Sequence, residues 1–187
     1  MAARDEILAR LRAARPVPAE LPDLTRFQPV RDFDVRERFE KRVVEVGGRI
    51  ARSLEEVPEY RDAKKIVSFA PEVAGNVDTS RITDPHDLRD VDFCVIRADF
   101  GVAENGACWI TAHGGALRAG CYLTQHLGVL VDPASLVPDL HAAYERISLK
   151  PGFAMFLSGP SKTADIEQAL VIGAHGARSC TVIFRSS

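Results

Sequence analysis

Residues 158–163, Ser-Gly-Pro-Ser-Lys-Thr, have the composition of a turn that could bind an anion. An apolar run at 153–157 predicts a strand before the turn. Thr163 would then be the N-cap of a helix over residues 163–172, with acidic residues in its first turn. Free N–H groups at such a helix start could hold a carboxylate or a phosphate. A well-capped helix after a tight turn explains the same residues, so both interpretations stay open. The candidate ligand-binding residues here are Ser158, Gly159, Pro160, Ser161, Lys162, Thr163 and Asp165, with Glu167 as a possible addition.

A second turn, at Glu104-Asn105-Gly106, places a carboxylate between two predicted strands. Its left-handed position suits Asn or Gly, and a glutamate held there could act as a nucleophile or a base. In ordinary turn chemistry the same glutamate would point into solvent or cap a backbone group. Glu104 is therefore a candidate catalytic residue, and Asn105 and Gly106 are candidate ligand contacts.

Two histidines are possible additions to a site. The glycines in Gly173-Ala-His-Gly176 would let His175 and Gly176 approach a ligand closely, although a helix C-cap followed by an exposed histidine explains the same residues. His126 begins an apolar run. No H-x-x-x-H or C-x-x-C spacing occurs, so we expect no metal and no iron–sulfur cluster in this chain. Cysteines at 94, 108, 121 and 180 are expected to be buried thiols in a reducing compartment.

Hydrophobic spacing indicates the elements that position these residues. Apolar residues recur at steps of three and four over residues 35–57, which predicts one long helix. Short β-branched or aromatic runs predict strands, and helices are expected at 134–147 and 163–172. This alternation predicts an α/β fold with a largely parallel sheet flanked by helices. A helical crossover after Ser158 would separate it from His175 by about 15 Å. The predicted strands are residues 66–70, 91–96, 107–111, 127–131, 153–157 and 181–184.

Composition limits the remaining possibilities. The 187 residues carry a net charge of -2 and are 46% hydrophobic, which favours one globular domain and no nucleic-acid partner. Residues 1–34 are predicted to form an amphipathic helix and a proline-rich arm, and residues 35–187 a single α/β domain. No apolar window approaches the ~20 residues of a membrane span, and no signal peptide is visible, so a cytoplasmic protein is expected.

The motifs together resemble the LUD domain, specifically the lactate-utilisation protein C family. The string at 158–167, Ser-Gly-Pro-Ser-Lys-Thr-Ala-Asp-Ile-Glu, is followed by the Gly173–Gly176 motif as in that family. Residues 98–106 are similar to its A-x-x-G-V-A-E-[ST]-G turn, and residues 6–12 to its N-terminal helix. The resemblance implies a fold of the NagB/RpiA/CoA-transferase type and oxidation of L-lactate to pyruvate with two iron–sulfur partner proteins. Iron–sulfur clusters would then lie only in those partners.

Two departures from the family pattern leave alternatives open. Asn105 replaces the usual Ser or Thr, and Ala177 stands where Pro is frequent. Glu104-Asn105-Gly106 thereby resembles the S-E-N-G turn of class I CoA transferases, whose glutamate forms an acyl-CoA-linked intermediate. A CoA-transferase-like enzyme using Glu104 is one alternative. A non-catalytic scaffold or assembly subunit that keeps the fold is the other.

Overall fold

The computed structural model describes residues 3–16, 19–20, 22–23, 31–112, 114–147, 152–164 and 168–185. The chain divides into two compact units, Met1–Val30 and Arg31–Ser187. The first unit contains the predicted amphipathic helix, α1 (Ala3–Ala13), whose Ile7 and Leu11 side chains are exposed. The described candidate residues all lie in the second unit.

The second unit alternates helices and strands along the chain. Its helices are α2 (Val35–Glu45), α3 (Pro58–Arg61), α4 (Gly115–Leu123) and α5 (Leu140–Arg146). Its strands are β1 (Arg49–Ala51), β2 (Ile66–Ser68), β3 (Phe93–Arg97), β4 (Phe100–Val102), β5 (Ala107–Ala112), β6 (His126–Val131), β7 (Phe153–Leu157), β8 (Lys162–Thr163), β9 (Val171–Ile172) and β10 (Ser179–Phe184). Within the described ranges, no helix has the length and apolar character needed to cross a membrane.

A parallel sheet in the order β1-β10-β6-β3-β2 forms the centre of the second unit. Each of the six predicted strands is present, and the predicted α/β fold with a largely parallel sheet is confirmed. Two of the six strands, β5 and β7, lie instead in a separate antiparallel sheet with the order β4-β5-β7. A short hairpin of β8 and β9 completes the described strands.

Both faces of the parallel sheet are buried, as the uninterrupted apolar runs indicate. Along β3, Cys94 and Ile96 pack into a core that includes the α2 residues Phe39 and Val43. Their neighbours on the strand point to the opposite face, into a second core with Leu54 and Val57. Side chains alternate across a strand, so one five-residue run contributes to two cores.

The predicted helix over residues 35–57 is wrong beyond Glu45. Gly47 has φ +83°, a left-handed conformation that ends α2, and the chain then enters β1 beside β10. A side chain at Gly48 would lie 2.9 Å from the carbonyl oxygen of Val43, so the chain passes α2 closely. The apolar spacing continues beyond the helix because the later apolar residues are buried by other elements. Ile50 packs on one face of the sheet, and Leu54 and Val57 pack on the other.

The helix expected at 134–147 is shorter than predicted. Residues 133–135 form a turn of 3₁₀-helix, and α5 begins only at Leu140. Asp139 is the N-cap of α5 and accepts a hydrogen bond from the Ala142 N–H at 2.8 Å. The break positions α5 against the β4–β5 turn that carries Glu104.

Candidate functional site

The Glu104 turn has the backbone geometry that the sequence predicts. It joins the antiparallel strands β4 and β5, and the Gly106 N–H donates to the Val102 carbonyl at 2.9 Å. Asn105 Oδ1 accepts from the Ala107 N–H at 3.1 Å. Gly106 occupies the left-handed position, at φ +66°, and a side chain there would lie 2.7 Å from the backbone nitrogen of Val43. The glycine lets the turn lie directly against α2.

Glu104 itself is exposed and holds the start of a helix. Its Oε2 accepts a hydrogen bond of 2.9 Å from the N–H of Leu140, the first residue of α5. The sequence allows two roles for Glu104, a nucleophile or base and a cap of a backbone group, and this contact is the capping one. A role for Glu104 as the nucleophile of a CoA-transferase-like reaction stays a prediction.

Residues 158–162 pack against the Asn105 turn and the end of α2. The Ser158 hydroxyl donates to the Asn105 carbonyl at 3.1 Å, and the Lys162 ammonium donates to the Val46 carbonyl. Gly159 has φ +69°, and a side chain there would lie 2.5 Å from the same Val46 oxygen. Pro160 is buried beside Gly47. The segment thus contacts the carboxyl end of α2, where unpaired carbonyls favour a cation.

The helix predicted to start at Thr163 is wrong. Lys162 and Thr163 form β8, paired antiparallel with Ile172 and Val171 of β9, so Thr163 is a strand residue and not an N-cap. Gln168 has a left-handed backbone, with φ +53°, which a regular helix does not contain, and Leu170 is 66% exposed. The anion-binding role of the segment stays a prediction, now without a helix N-terminus to support it. Asp165 and Glu167 lie outside the described residues.

The loop that carries His175 and Gly176 returns beside Ser161. The Ser161 N–H donates to the Ala177 carbonyl, and the Gly173 N–H donates to the Ser161 carbonyl, each at 2.9 Å. A side chain at Gly176 would lie 3.0 Å from Ser161 Cβ. The predicted separation of about 15 Å between His175 and the anion turn is wrong, because β8 pairs directly with β9 and brings the two segments into contact. His175 is exposed, as expected, but Gly173 follows a strand and does not cap a helix.

These contacts join most of the sequence-predicted residues into one group, which we call the motif cluster. It consists of Asn105, Gly106, Ser158, Gly159, Pro160, Ser161, Lys162, Thr163, His175 and Gly176. Glu104 adjoins it through the backbone but directs its carboxylate to α5. The end of α2 holds the cluster together, and sequence reasoning missed this; the only signal was the adjacent pair Gly47-Gly48.

His126 lies in a different place, at the amino end of the parallel sheet. Its Nδ1 is 2.9 Å from the Ser179 hydroxyl, across the β6–β10 pair. Burial lowers the pKa of His126, and the Glu59 carboxylate opposes that shift. Glu59 accepts from Arg49 at 2.8 Å through one oxygen, while its buried second oxygen has no partner in the described structure. His126 and Glu59 line a polar cavity of about 470 Å³.

The four cysteines are buried and free, as the sequence predicts. Burial raises the pKa of each thiol, to about 12 for Cys121 and Cys180, so none is poised to form a thiolate. Among the described residues, no three His, Cys, Asp or Glu side chains are grouped to hold a metal ion.

A solved structure shares the fold. The crystal structure of a DUF162 family protein from Deinococcus radiodurans superposes with a TM-score of 0.59 and covers 83% of this chain and 99% of that one. The two sequences are 15% identical, so this similarity shows the fold alone.

Curated relatives share sequence with this chain. The lactate utilization protein C of Bacillus pumilus is 31% identical over 108 residues, covering 54% of this chain and 45% of the relative. The protein of the same name from Halalkalibacterium halodurans is 28% identical over 120 residues, covering 60% and 51%. The chain therefore spans about half the length of the curated relatives it matches. The sequence profile of the LUD domain matches residues 35–184, and this chain belongs to the LUD domain family.

Proposed function

We propose that this protein works in lactate utilisation, as a component of a system that oxidises L-lactate to pyruvate together with iron–sulfur partner proteins. One observation carries the proposal: the LUD domain match over residues 35–184, with relatives named lactate utilization protein C. The role in L-lactate oxidation is inferred for this chain from that similarity.

The burial of the cysteines supports the proposal that the iron–sulfur clusters lie in the partner proteins. Iron–sulfur clusters are held by thiolates. Each cysteine of this chain is buried, and burial raises its pKa. Electron transfer through clusters would then take place in the partner proteins, and this chain would bind a ligand or organise the assembly.

The motif cluster is our proposed place for a small carboxylate or phosphate-bearing ligand. Ser158 and Lys162 are engaged by backbone carbonyls, but the Ser161 hydroxyl makes no hydrogen bond with any described residue. Ser161 is half-buried and adjoins Gly176, next to the exposed His175. A hydroxyl and an imidazole can both donate to a carboxylate, so Ser161 and His175 are the groups we expect to contact the ligand.

Deletion and reconstitution test the role. A strain that lacks this protein should grow poorly on L-lactate, and purified partners should oxidise L-lactate faster when the chain is added. Ser161→Ala should reduce that rate, whereas Ser80→Ala, at an exposed serine in a 3₁₀ turn outside the motif cluster, should not. Equal rates with and without the chain would refute a role in lactate oxidation. A chain that is required but insensitive to Ser161→Ala and to His175→Ala would indicate the scaffold alternative.

A further inference from the structure

A second cavity lies at the carboxyl end of the parallel sheet, opposite the end where His126 lies. Its volume is about 570 Å³. It borders the carboxyl ends of β1 and β10, and Pro133, which follows β6, closes one side. In open α/β sheets, ligands bind beyond the carboxyl ends of the strands.

Three arginines from three separate segments converge on this cavity. Arg36 comes from the first turn of α2, Arg52 follows β1, and Arg185 follows β10. Glu40 is the one acidic side chain in the lining, and Asp132 and Glu72 lie near Arg185 without lining the cavity. We call this the arginine cavity.

The arginines differ in how far they are neutralised. Arg36 Nε donates to Glu40 at 2.9 Å, and its guanidinium carbon lies 4.6 Å from the centre of the Phe184 ring. Arg185 is 3.3 Å from Asp132 and 3.7 Å from Glu72, so its ion pairs are long. The Arg52 guanidinium makes no ion pair with any described residue. Arg52 is thus the cation most available to a ligand.

The rest of the lining is apolar, and most of it lies on strands. Ile50 and Ala51 of β1 lie beside Phe184 of β10, and the Arg185 N–H donates to the Val131 carbonyl at 2.9 Å. Ligand pockets of about 300–1,000 Å³ commonly combine such an apolar surface with a few fixed polar groups. The cavity can therefore accept an organic group as well as an anion.

We propose that the arginine cavity binds the phosphate group of an organic phosphate. The three terminal oxygens of a phosphate monoester can accept from both Arg52, which has no ion pair with any described residue, and Arg185, whose ion pairs are long. A monocarboxylate such as lactate has only two such oxygens. Guanidinium groups bind phosphate oxygens in pairs, with a planar fork that suits this geometry. The organic part would lie on Ile50, Ala51 and Pro133. This proposal does not depend on the role in lactate utilisation.

Calorimetric titration with AMP tests the proposal, with inorganic phosphate, adenosine and L-lactate as comparison probes. We expect AMP to bind more tightly than inorganic phosphate, and adenosine and L-lactate to bind far more weakly than either. Arg52→Ala should weaken AMP binding about tenfold or more, because it removes hydrogen bonds to a charged group. Arg52→Lys, which keeps the charge but loses the planar fork, should have an intermediate effect.

Arg61→Ala is the matched control, because Arg61 is an exposed arginine at the end of α3 and does not line the cavity. It should bind AMP like the unmodified protein. Circular dichroism should show that Arg52→Ala is folded, and Arg185→Ala gives a second variant in the same cavity. The proposal is overturned if AMP does not bind at millimolar concentration, if adenosine binds as tightly, or if both cavity variants retain full affinity.

Discussion

A pair of glycine substitutions tests whether the motif cluster is held against the end of α2. Gly159 and Gly47 face each other across this contact, and both have left-handed backbones, at φ +69° and +83°. Alanine in that conformation costs about 1–2 kcal/mol at either position. The two positions differ in space: a Cβ at Gly159 would lie 2.5 Å from the Val46 carbonyl oxygen, whereas a Cβ at Gly47 would lie 3.8 Å from Pro160.

The distances set the expected magnitudes. A contact of 3.8 Å is ordinary van der Waals packing, so Gly47→Ala should cost only the conformational term, about 1–2 kcal/mol. A contact of 2.5 Å with backbone cannot persist, and the resulting overpacking adds about 1–3 kcal/mol. Gly159→Ala should therefore lower the free energy of unfolding by about 2–5 kcal/mol. It should also loosen the hydrogen bond from Lys162 to Val46, because the clash pushes the two segments apart.

Urea denaturation of the two variants and the unmodified protein measures these values. The informative quantity is the difference between the two variants, because the left-handed conformation contributes to both. Equal losses of stability would refute the close approach of residues 158–162 to α2. No loss at Gly159 would refute the left-handed turn itself.

The remaining predictions concern the packing of α4, the cap of α5 and the cysteines. Gly120→Ala should lower the free energy of unfolding by about 1–3 kcal/mol, because a Cβ there would lie 2.8 Å from the Phe69 ring; Gly115→Ala, in the same helix with open space, should be nearly neutral in urea denaturation. The hydrogen bond from Arg31 lowers the pKa of Asp139 in the folded protein. The ionised carboxylate therefore contributes its full stabilisation above the unfolded pKa of about 3.9. That contribution is lost as pH falls through the lower pKa of the folded state. The stability advantage of the unmodified protein over Asp139→Asn should therefore shrink below about pH 4 in urea titrations, and a constant advantage down to full acid unfolding would contradict this. The four buried thiols should resist iodoacetamide at neutral pH in the native protein and react in urea, as followed by mass spectrometry; rapid labelling of the native state would show that the burial is wrong.

The strands and the Glu104 turn could be predicted from sequence because their signals are local. A β-branched run bounded by turn residues is buried wherever it lies in the sheet, and β3 illustrates this by packing into both cores. Gly106 takes the left-handed position that its place in the turn requires. The sequence does not reveal which strands share a sheet. It therefore could not predict that β5 and β7 lie in an antiparallel sheet apart from the parallel strands.

The pairing of β8 with β9 could not be predicted, because the hydrogen bonds that fix it join residues that are distant in sequence. Thr163 with acidic residues after it is typical of a helix start, which local propensity favours. The backbone of Ser161 is instead bonded on one side to Gly173 and on the other to Ala177. These hydrogen bonds close a loop of more than ten residues, and their tertiary context overrides the local capping signal.

The arginine cavity could not be predicted from the sequence, because an isolated arginine at 36, 52 or 185 is typical of a solvent-exposed surface. Their convergence depends on β1 being a strand. Ala51 pairs with Ile183 in the parallel register, which places Arg52 level with Phe184 and next to Arg185. Had the helix continued from 35 to 57, as apolar spacing favours, residue 52 would lie about 24 Å along the axis from Arg36. The left-handed turn at Gly47 reverses the chain beside α2, so the same glycine that supports the motif cluster at one end of α2 also brings Arg52 back to Arg36 at the other.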